Sequence, residues 1–194
     1  MKEDEERWNE RYRTGKACNP SAAAPILQDT ISTLSTRGRA LDLACGDGRN
    51  ALFLARAGFR VDGVDVSEVG LEIAREAAAR EALDIHWIHA DLDRWEPAEN
   101  TYDLIACINF LDRRLFDRIP RALKPGGILV FQALLVPEDA DAAFTPGFRV
   151  RRGELREAFE SRGFHILHYS EGEAECKPVA ALAASGPVTP APKS

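Results

Sequence analysis

No run in these 194 residues stays apolar for the roughly 20 positions that a bilayer crossing needs, so a membrane partner is not expected. Cysteine is sparse and scattered. Cys18, Cys45, Cys107 and Cys176 form no CxxC pair, which argues against a zinc ribbon and leaves reduced thiols as the plain reading. Positive charge is in deficit, with 25 Lys and Arg against 31 Asp and Glu, a net charge of −6. Phosphate recognition needs clustered positive charge, so no nucleic-acid partner is expected. The first residues, Met1–Arg7, are acidic and have no apolar centre, so no signal peptide is read there and the chain is expected to be cytoplasmic. Histidine is also scarce. His86 and His89, like His165 and His168, are three apart on strand-like segments, which puts each pair on opposite faces, and no metal site is expected.

What remains is an ordinary globular composition, 45% hydrophobic and 29% charged. Short apolar runs alternate with helical stretches. Strands are expected at 39–44, 59–66, 85–90, 102–108 and 128–135, and again at 164–169 and 178–184. Helices are expected at 50–57, from Ser67 as N-cap to about Leu83, at 112–123 with Pro120 kinking it or ending it early, and at 154–162. Lys124-Pro125-Gly126-Gly127 reads as a turn. Strands alternating with helices imply βαβ units and a parallel sheet covered on both faces. The last two strands are separated only by the polar stretch Ser170–Glu175, too short for a crossover, so they are expected to form an antiparallel hairpin.

The chemistry is expected where the first strand ends. Leu41-Asp42-Leu43-Ala44-Cys45-Gly46-Asp47-Gly48-Arg49-Asn50 runs from a strand through a glycine turn into a helix. Glycine lets a ligand approach the backbone, and a helix start offers free N–H groups and partial positive charge. Asp65 ends the next strand, placed to accept from a ribose diol. Gly46-x-Gly48-x-x-Ala51 with Asp65 some 20 residues on also fits the looser dinucleotide fingerprint, so two cofactor classes are open at this point.

The wider pattern resembles the class I S-adenosylmethionine-dependent methyltransferases. The features that carry the likeness are Asp42 before the G-x-G turn, Asp65 after strand two, Ala90-Asp91-Leu92 after strand three, Leu123–Gly127 before strand five, and the closing hairpin. Trp8-Asn9-Glu10-Arg11-Tyr12 and Asn109–Phe116 are similar to segments of small bacterial tellurite-resistance and thiopurine-type methyltransferases. The resemblance implies an α/β fold: a Rossmann-like, doubly wound, seven-stranded sheet, mostly parallel, with a C-terminal antiparallel β-hairpin. It implies an N-terminal lid helix and linker over 1–20, a methyltransferase domain over 21–185 and a disordered Pro-rich tail over 186–194.

The cofactor implied is S-adenosyl-L-methionine. By resemblance Asp42, Ala44, Cys45, Gly46, Gly48 and Asn50 surround its methionine end. Asp65 holds the ribose, Val66 covers the adenine, and Asp91 and Leu92 address the adenine edge. Cys107, Ile108 and Asn109 line the sulfonium side. Ala44 stands where the family often has glycine. Trp8, Arg11, Tyr12, Phe110 and Arg113 are the candidate acceptor-side residues, with packing of an amphipathic helix as the plainer role for the first three. No general base stands out and no catalytic residue is assigned.

The end of strand four, Cys107-Ile108-Asn109-Phe110, lacks the [DNS]-P-P-[YFW] tetrapeptide of enzymes that methylate amide or nucleobase nitrogens. With the acidic charge this points to a small-molecule methyl acceptor, either a soft nucleophile (S, Se or Te) or a small O or N nucleophile. A monomer or homodimer is expected. Two rival readings are a nicotinamide-dependent oxidoreductase, against which stands the lack of any Tyr-x-x-x-Lys pair, and a non-catalytic S-adenosylmethionine-binding module.

Overall fold

The computed structural model describes residues 2–15, 22–137, 147–174 and 177–188. The chain gathers into two units, one up to Glu96 and one from Pro97 onward. The first contains α1 (Lys2–Arg13), α2 (Pro25–Thr33), β1 (Arg39–Leu43), α3 (Arg49–Arg56), β2 (Arg60–Asp65), α4 (Glu68–Arg80) and β3 (Ile85–His89). Its strands lie in the order β3-β2-β1, all parallel, with Asp42 opposite Gly63 and Gly63 opposite Trp87. After their first residue β1 and β2 are buried throughout, which is why they read as nearly unbroken apolar runs. The pairing continues past the strand ends: the Cys45 amide donates to the Val64 carbonyl and the Ala90 amide to the Asp65 carbonyl. The loops after β1, β2 and β3 therefore leave along one edge.

Helix α4 is rich in alanine and starts where the sequence placed it, with the Ser67 hydroxyl accepting from the Gly70 amide. Helix α2 was not read from the sequence. It has Pro25 at its first turn and no side-chain cap. Its fixing comes from elsewhere: the Ala24 amide donates to Asn50 Oδ1 at 3.0 Å, and Arg49 donates to the Ala22 carbonyl at 3.1 Å.

The second unit contains β4 (Tyr102–Ile108), α5 (Leu115–Ala122), β5 (Leu123–Leu135), β6 (Arg149–Val150), α6 (Glu154–Glu160), β7 (His165–Ala174) and β8 (Lys177–Ser185). The order is β4-β5-β8-β7, with β6 beside β5. β4 and β6 run parallel to β5, while β5–β8 and β8–β7 are antiparallel, so the terminal hairpin is present. Four phenylalanines, Phe116, Phe131, Phe159 and Phe164, form its aromatic core, with neighbouring ring centroids 5.3–5.9 Å apart, mostly edge-on.

Four local expectations change. The described chain holds eight strands instead of seven, because Arg149–Val150 pairs beside β5, where no strand was expected. Lys124–Gly127 does not end one element and begin another. Tyr102 faces Leu123 and Leu104 faces Ile128, so the Lys-Pro-Gly-Gly residues bulge out of a ladder that resumes beyond them. Ser170–Ala174 is strand rather than connector, paired with residues 177–181 of β8. β7 is an edge strand largely open to water, so polarity does not exclude it from the sheet. Helix α5 runs through Pro120 and ends at Ala122. Cys18, Cys176, residues 138–146 of the 136–148 loop and 189–194 of the tail lie outside the described residues.

Candidate cofactor site

Chain geometry after β1 is dictated by backbone sign. Ala44, Gly46 and Gly48 take φ of 54°, 58° and 84°. Two of the three are glycine, for which this region is free. Ala44 adopts it at a cost of about 1 kcal/mol. The turn closes through the Gly48 amide donating to the Cys45 carbonyl, and α3 begins directly after it with no side chain capping its first turn.

Glycine at position 48 also serves the packing. A Cβ there would stand 2.8 Å from both Ala74 Cβ and Trp87 Cη2, and one at Gly63 would stand 2.7 Å from Trp87 Cζ3. The Trp87 indole thus lies across the middle of β2 and supports the glycine turn from below. Sequence reading missed it. The available signal was a glycine inside a strand, which often marks the close approach of another group.

Asp65 ends β2 and is buried. Its Oδ2 accepts from the Gly46 amide at 2.8 Å and its Oδ1 from the Ser67 amide at 2.8 Å. It therefore clasps the glycine turn to the start of α4. Burial pushes its carboxyl above the ordinary range, and the amides of Ser67, Gly46 and Val66 pull it back in part. The carboxylate keeps acceptor capacity beyond these amides for a ligand hydroxyl.

Asp42 is in a different state. It is 1% exposed, and neither carboxylate oxygen has a hydrogen-bond partner; Asp47 Oδ1 is likewise buried and unpartnered. Burial raises the Asp42 carboxyl to about 8, against weaker pulls from the Ala51 amide and the Arg49 charge. A fully buried acid with no close hydrogen-bond partner, and beside it a half-buried Asp47 with one buried, unpartnered oxygen, make a site that fits a cation with N–H groups. Cys45 is buried beside them, and burial, then Asp65 and Asp42, hold its thiol well above its usual range. It behaves as a small hydrophobe and not as a nucleophile.

The remaining first-unit candidates sit on the same edge. Val66 follows Asp65 and is half-buried, its carbonyl 3.0 Å from His89 Nε2. Asp91 Oδ1 accepts from the Asp93 amide at 2.9 Å, and Leu92 is buried. On α1, Arg11 stacks over the Trp8 ring at 5.0 Å, and the Trp8 and Tyr12 rings are 6.3 Å apart.

In the second unit, Cys107 and Ile108 are buried at the end of β4, and the Cys107 thiol contacts the Phe110 carbonyl at 3.7 Å. Asn109 takes φ of 61° and accepts from Gln132 Nε2 at 2.9 Å. Arg113 donates to Glu154 at 2.6 Å and to the carbonyls of Arg149 and Gly147. Its guanidinium thus ties neighbouring loops together. Among the described residues no helix is long and apolar enough to cross a membrane.

Residues 40–127 match the family described as a methyltransferase domain. The chain is 32% identical over 106 residues to the ribosomal RNA small subunit methyltransferase C of Alcanivorax borkumensis, covering 50% of this chain and 32% of that one. It is 30% identical over 99 residues to the ubiquinone biosynthesis O-methyltransferase of Coxiella burnetii, covering 48% and 42%. The chain spans less than half the length of these curated relatives. Among solved structures, TehB from Haemophilus influenzae superposes with a TM-score of 0.74 at 25% identity, over 88% of this chain and 65% of that one.

Proposed function

We propose that this chain, whose residues 40–127 match a methyltransferase domain family, is a class I S-adenosylmethionine-dependent methyltransferase that transfers a methyl group from that cofactor to a small-molecule acceptor. The observation that carries the reading is the buried, unpartnered Asp42 carboxyl beside a glycine turn clasped by Asp65. A sulfonium cofactor with an ammonium group and a ribose diol matches both acids.

In this reading Asp42, with the backbone of Ala44–Gly48 and Asn50, holds the cationic amino-acid end. Asp65 accepts from the ribose hydroxyls, Val66 covers one face of the adenine, and Asp91 and Leu92 meet its edge. Cys107, Ile108 and Asn109 are assigned to the sulfonium side by the family likeness alone. When bound, the cofactor supplies an electrophilic methyl whose leaving group is a neutral thioether. The chain's own task is then orientation: holding nucleophile and methyl at near-attack distance and excluding water.

The acceptor class is argued from what the chain does not offer. An oxygen or nitrogen nucleophile usually needs a proton acceptor, and Cys45, whose thiol burial holds well above its usual range, does not supply one. A thiolate, selenide or telluride needs none. Trp8, Arg11, Tyr12, Phe110 and Arg113 remain the candidate acceptor-side residues. Incubation with methyl-labelled cofactor and a panel of thiols, selenide, telluride (each made from its oxyanion with excess reductant) and small phenols tests this. Labelled product is expected from the soft nucleophiles. Transfer to phenols alone would overturn the acceptor class, and intact cofactor binding without transfer to any acceptor would point to a binding module.

A further inference from the structure

The turn that carries Asp65 is held from outside by α1. Asn9 is buried, and its Oδ1 accepts from the Ser67 hydroxyl at 2.7 Å and from the Val69 amide at 3.2 Å. Ser67 Oγ in turn accepts from the Gly70 amide at 3.1 Å, and the Ser67 amide donates to Asp65. A helix start leaves its first amides without intrahelical partners. Here Ser67 satisfies one of them from within α4, and Asn9 satisfies a second from another element. The amide orientation follows from chemistry, because the Val69 amide can only donate and only the Asn9 carbonyl oxygen can receive it.

A second observation shows the same contact as packing. A Cβ on Gly70 would meet the Tyr12 ring at 3.0 Å and the Gly46 carbonyl at 3.2 Å. Tyr12 of α1, Gly70 and the cofactor turn are therefore packed closely together. Asn9 stands at one end of a continuous hydrogen-bonded path, Asn9–Ser67–Asp65–Gly46, that ends in the glycine turn itself.

We propose that Asn9 is a positioning residue for the cofactor site. It caps α4 in trans and thereby fixes Asp65 and the Gly46–Gly48 turn in the binding geometry. This rests on the cofactor reading above. Asn9 touches neither cofactor nor acceptor in this role, so its loss weakens cofactor binding and leaves the acceptor KM in place.

The test compares Asn9→Ala and Asn9→Asp in the full chain. Two readouts are used: S-adenosylhomocysteine affinity by calorimetry, and amide hydrogen exchange at Val69 and Gly70 without ligand. Asn9→Ala should speed exchange at both amides and weaken binding up to about tenfold, the scale of a lost helix cap. Asn9→Asp keeps both acceptor bonds and places its charge at a helix N-terminus, so it should stay within about threefold of wild type. Wild-type affinity in Asn9→Ala, or equal loss in both variants, overturns the positioning role. Faster exchange with unchanged affinity reduces Asn9 to a structural cap and also overturns it. A wild-type chain that binds no S-adenosylhomocysteine sinks the cofactor reading instead, and that failure is visible before either variant is made.

Discussion

Replacing Asp42 by Asn is expected to stabilise the ligand-free protein by several kcal/mol at pH 7 and to weaken cofactor binding. The side chain is buried with no hydrogen-bond partner, and burial lifts its carboxyl from 3.8 to about 8. A group whose folded pKa is raised contributes its full stability below the unfolded pKa and loses it as pH climbs to the folded one. Wild-type stability should therefore fall, relative to Asp42→Asn, between about pH 4 and pH 8 and run parallel to it above pH 8. The slope is about 1.4 kcal/mol per pH unit, so the gap at pH 7 is on the order of 4 kcal/mol at most. Urea unfolding of both proteins at pH 4, 6 and 8.5 measures it. A gap that does not change with pH would mean that Asp42 is not held protonated. Strain of this kind is tolerable at a site that a ligand completes. A bound ammonium would favour the charged carboxylate, so binding should release a proton near neutral pH in wild type and not in Asp42→Asn. Calorimetry in buffers of different ionisation enthalpy reads that release.

The second large effect concerns the two glycines under Trp87, which should fail in different ways. Gly48→Ala meets Ala74 and Trp87 at 2.8 Å and must also hold φ of 84°. Backbone strain and overpacking together should cost about 2–4 kcal/mol. Gly63→Ala has no such φ and meets the Trp87 ring at 2.7 Å, with Cys45 Sγ further away at 3.2 Å. Its cost of about 1–3 kcal/mol is overpacking alone. Shortening the ring by Trp87→Leu should thus recover most of the loss in Gly63→Ala and little of it in Gly48→Ala. A double-mutant cycle on unfolding free energies separates the two, with favourable coupling above about 1 kcal/mol expected for the 63/87 pair. Equal rescue of both glycines would contradict the placement of the indole.

Much of the first unit was legible because its signals are local. The apolar runs of β1 and β2, the glycine turn, Ser67 as N-cap and the acids ending each strand all read directly from neighbouring residues. The features that were not legible depend on register or on distant partners. The place of Trp87 follows from its pairing opposite Gly63, which no local pattern reveals. Helix α2 has no cap of its own and is held by Asn50. Lys124–Gly127 has turn chemistry, yet β5 resumes pairing past it because Ile128 finds Leu104. Arg113 is an acceptor-side candidate by likeness, and its partners, Glu154 and two loop carbonyls, lie too far along the chain for a local pattern to reveal.

Asp65 shows how far a role can be read from spacing. The sequence points to ribose binding. The fold adds a clasp, with Gly46 and Ser67 both donating to the carboxylate, and leaves acceptor capacity for a ligand hydroxyl. The clasp also makes Asp65 the most informative residue to remove.

Calorimetric titration of S-adenosylhomocysteine into the wild-type chain and into Asp65→Ala is the most direct measurement. The account predicts one site per chain in wild type and a loss of at least about tenfold in affinity in the variant, from the ribose contact and the freed glycine turn together. No binding to wild type, or equal binding to both proteins, would contradict it.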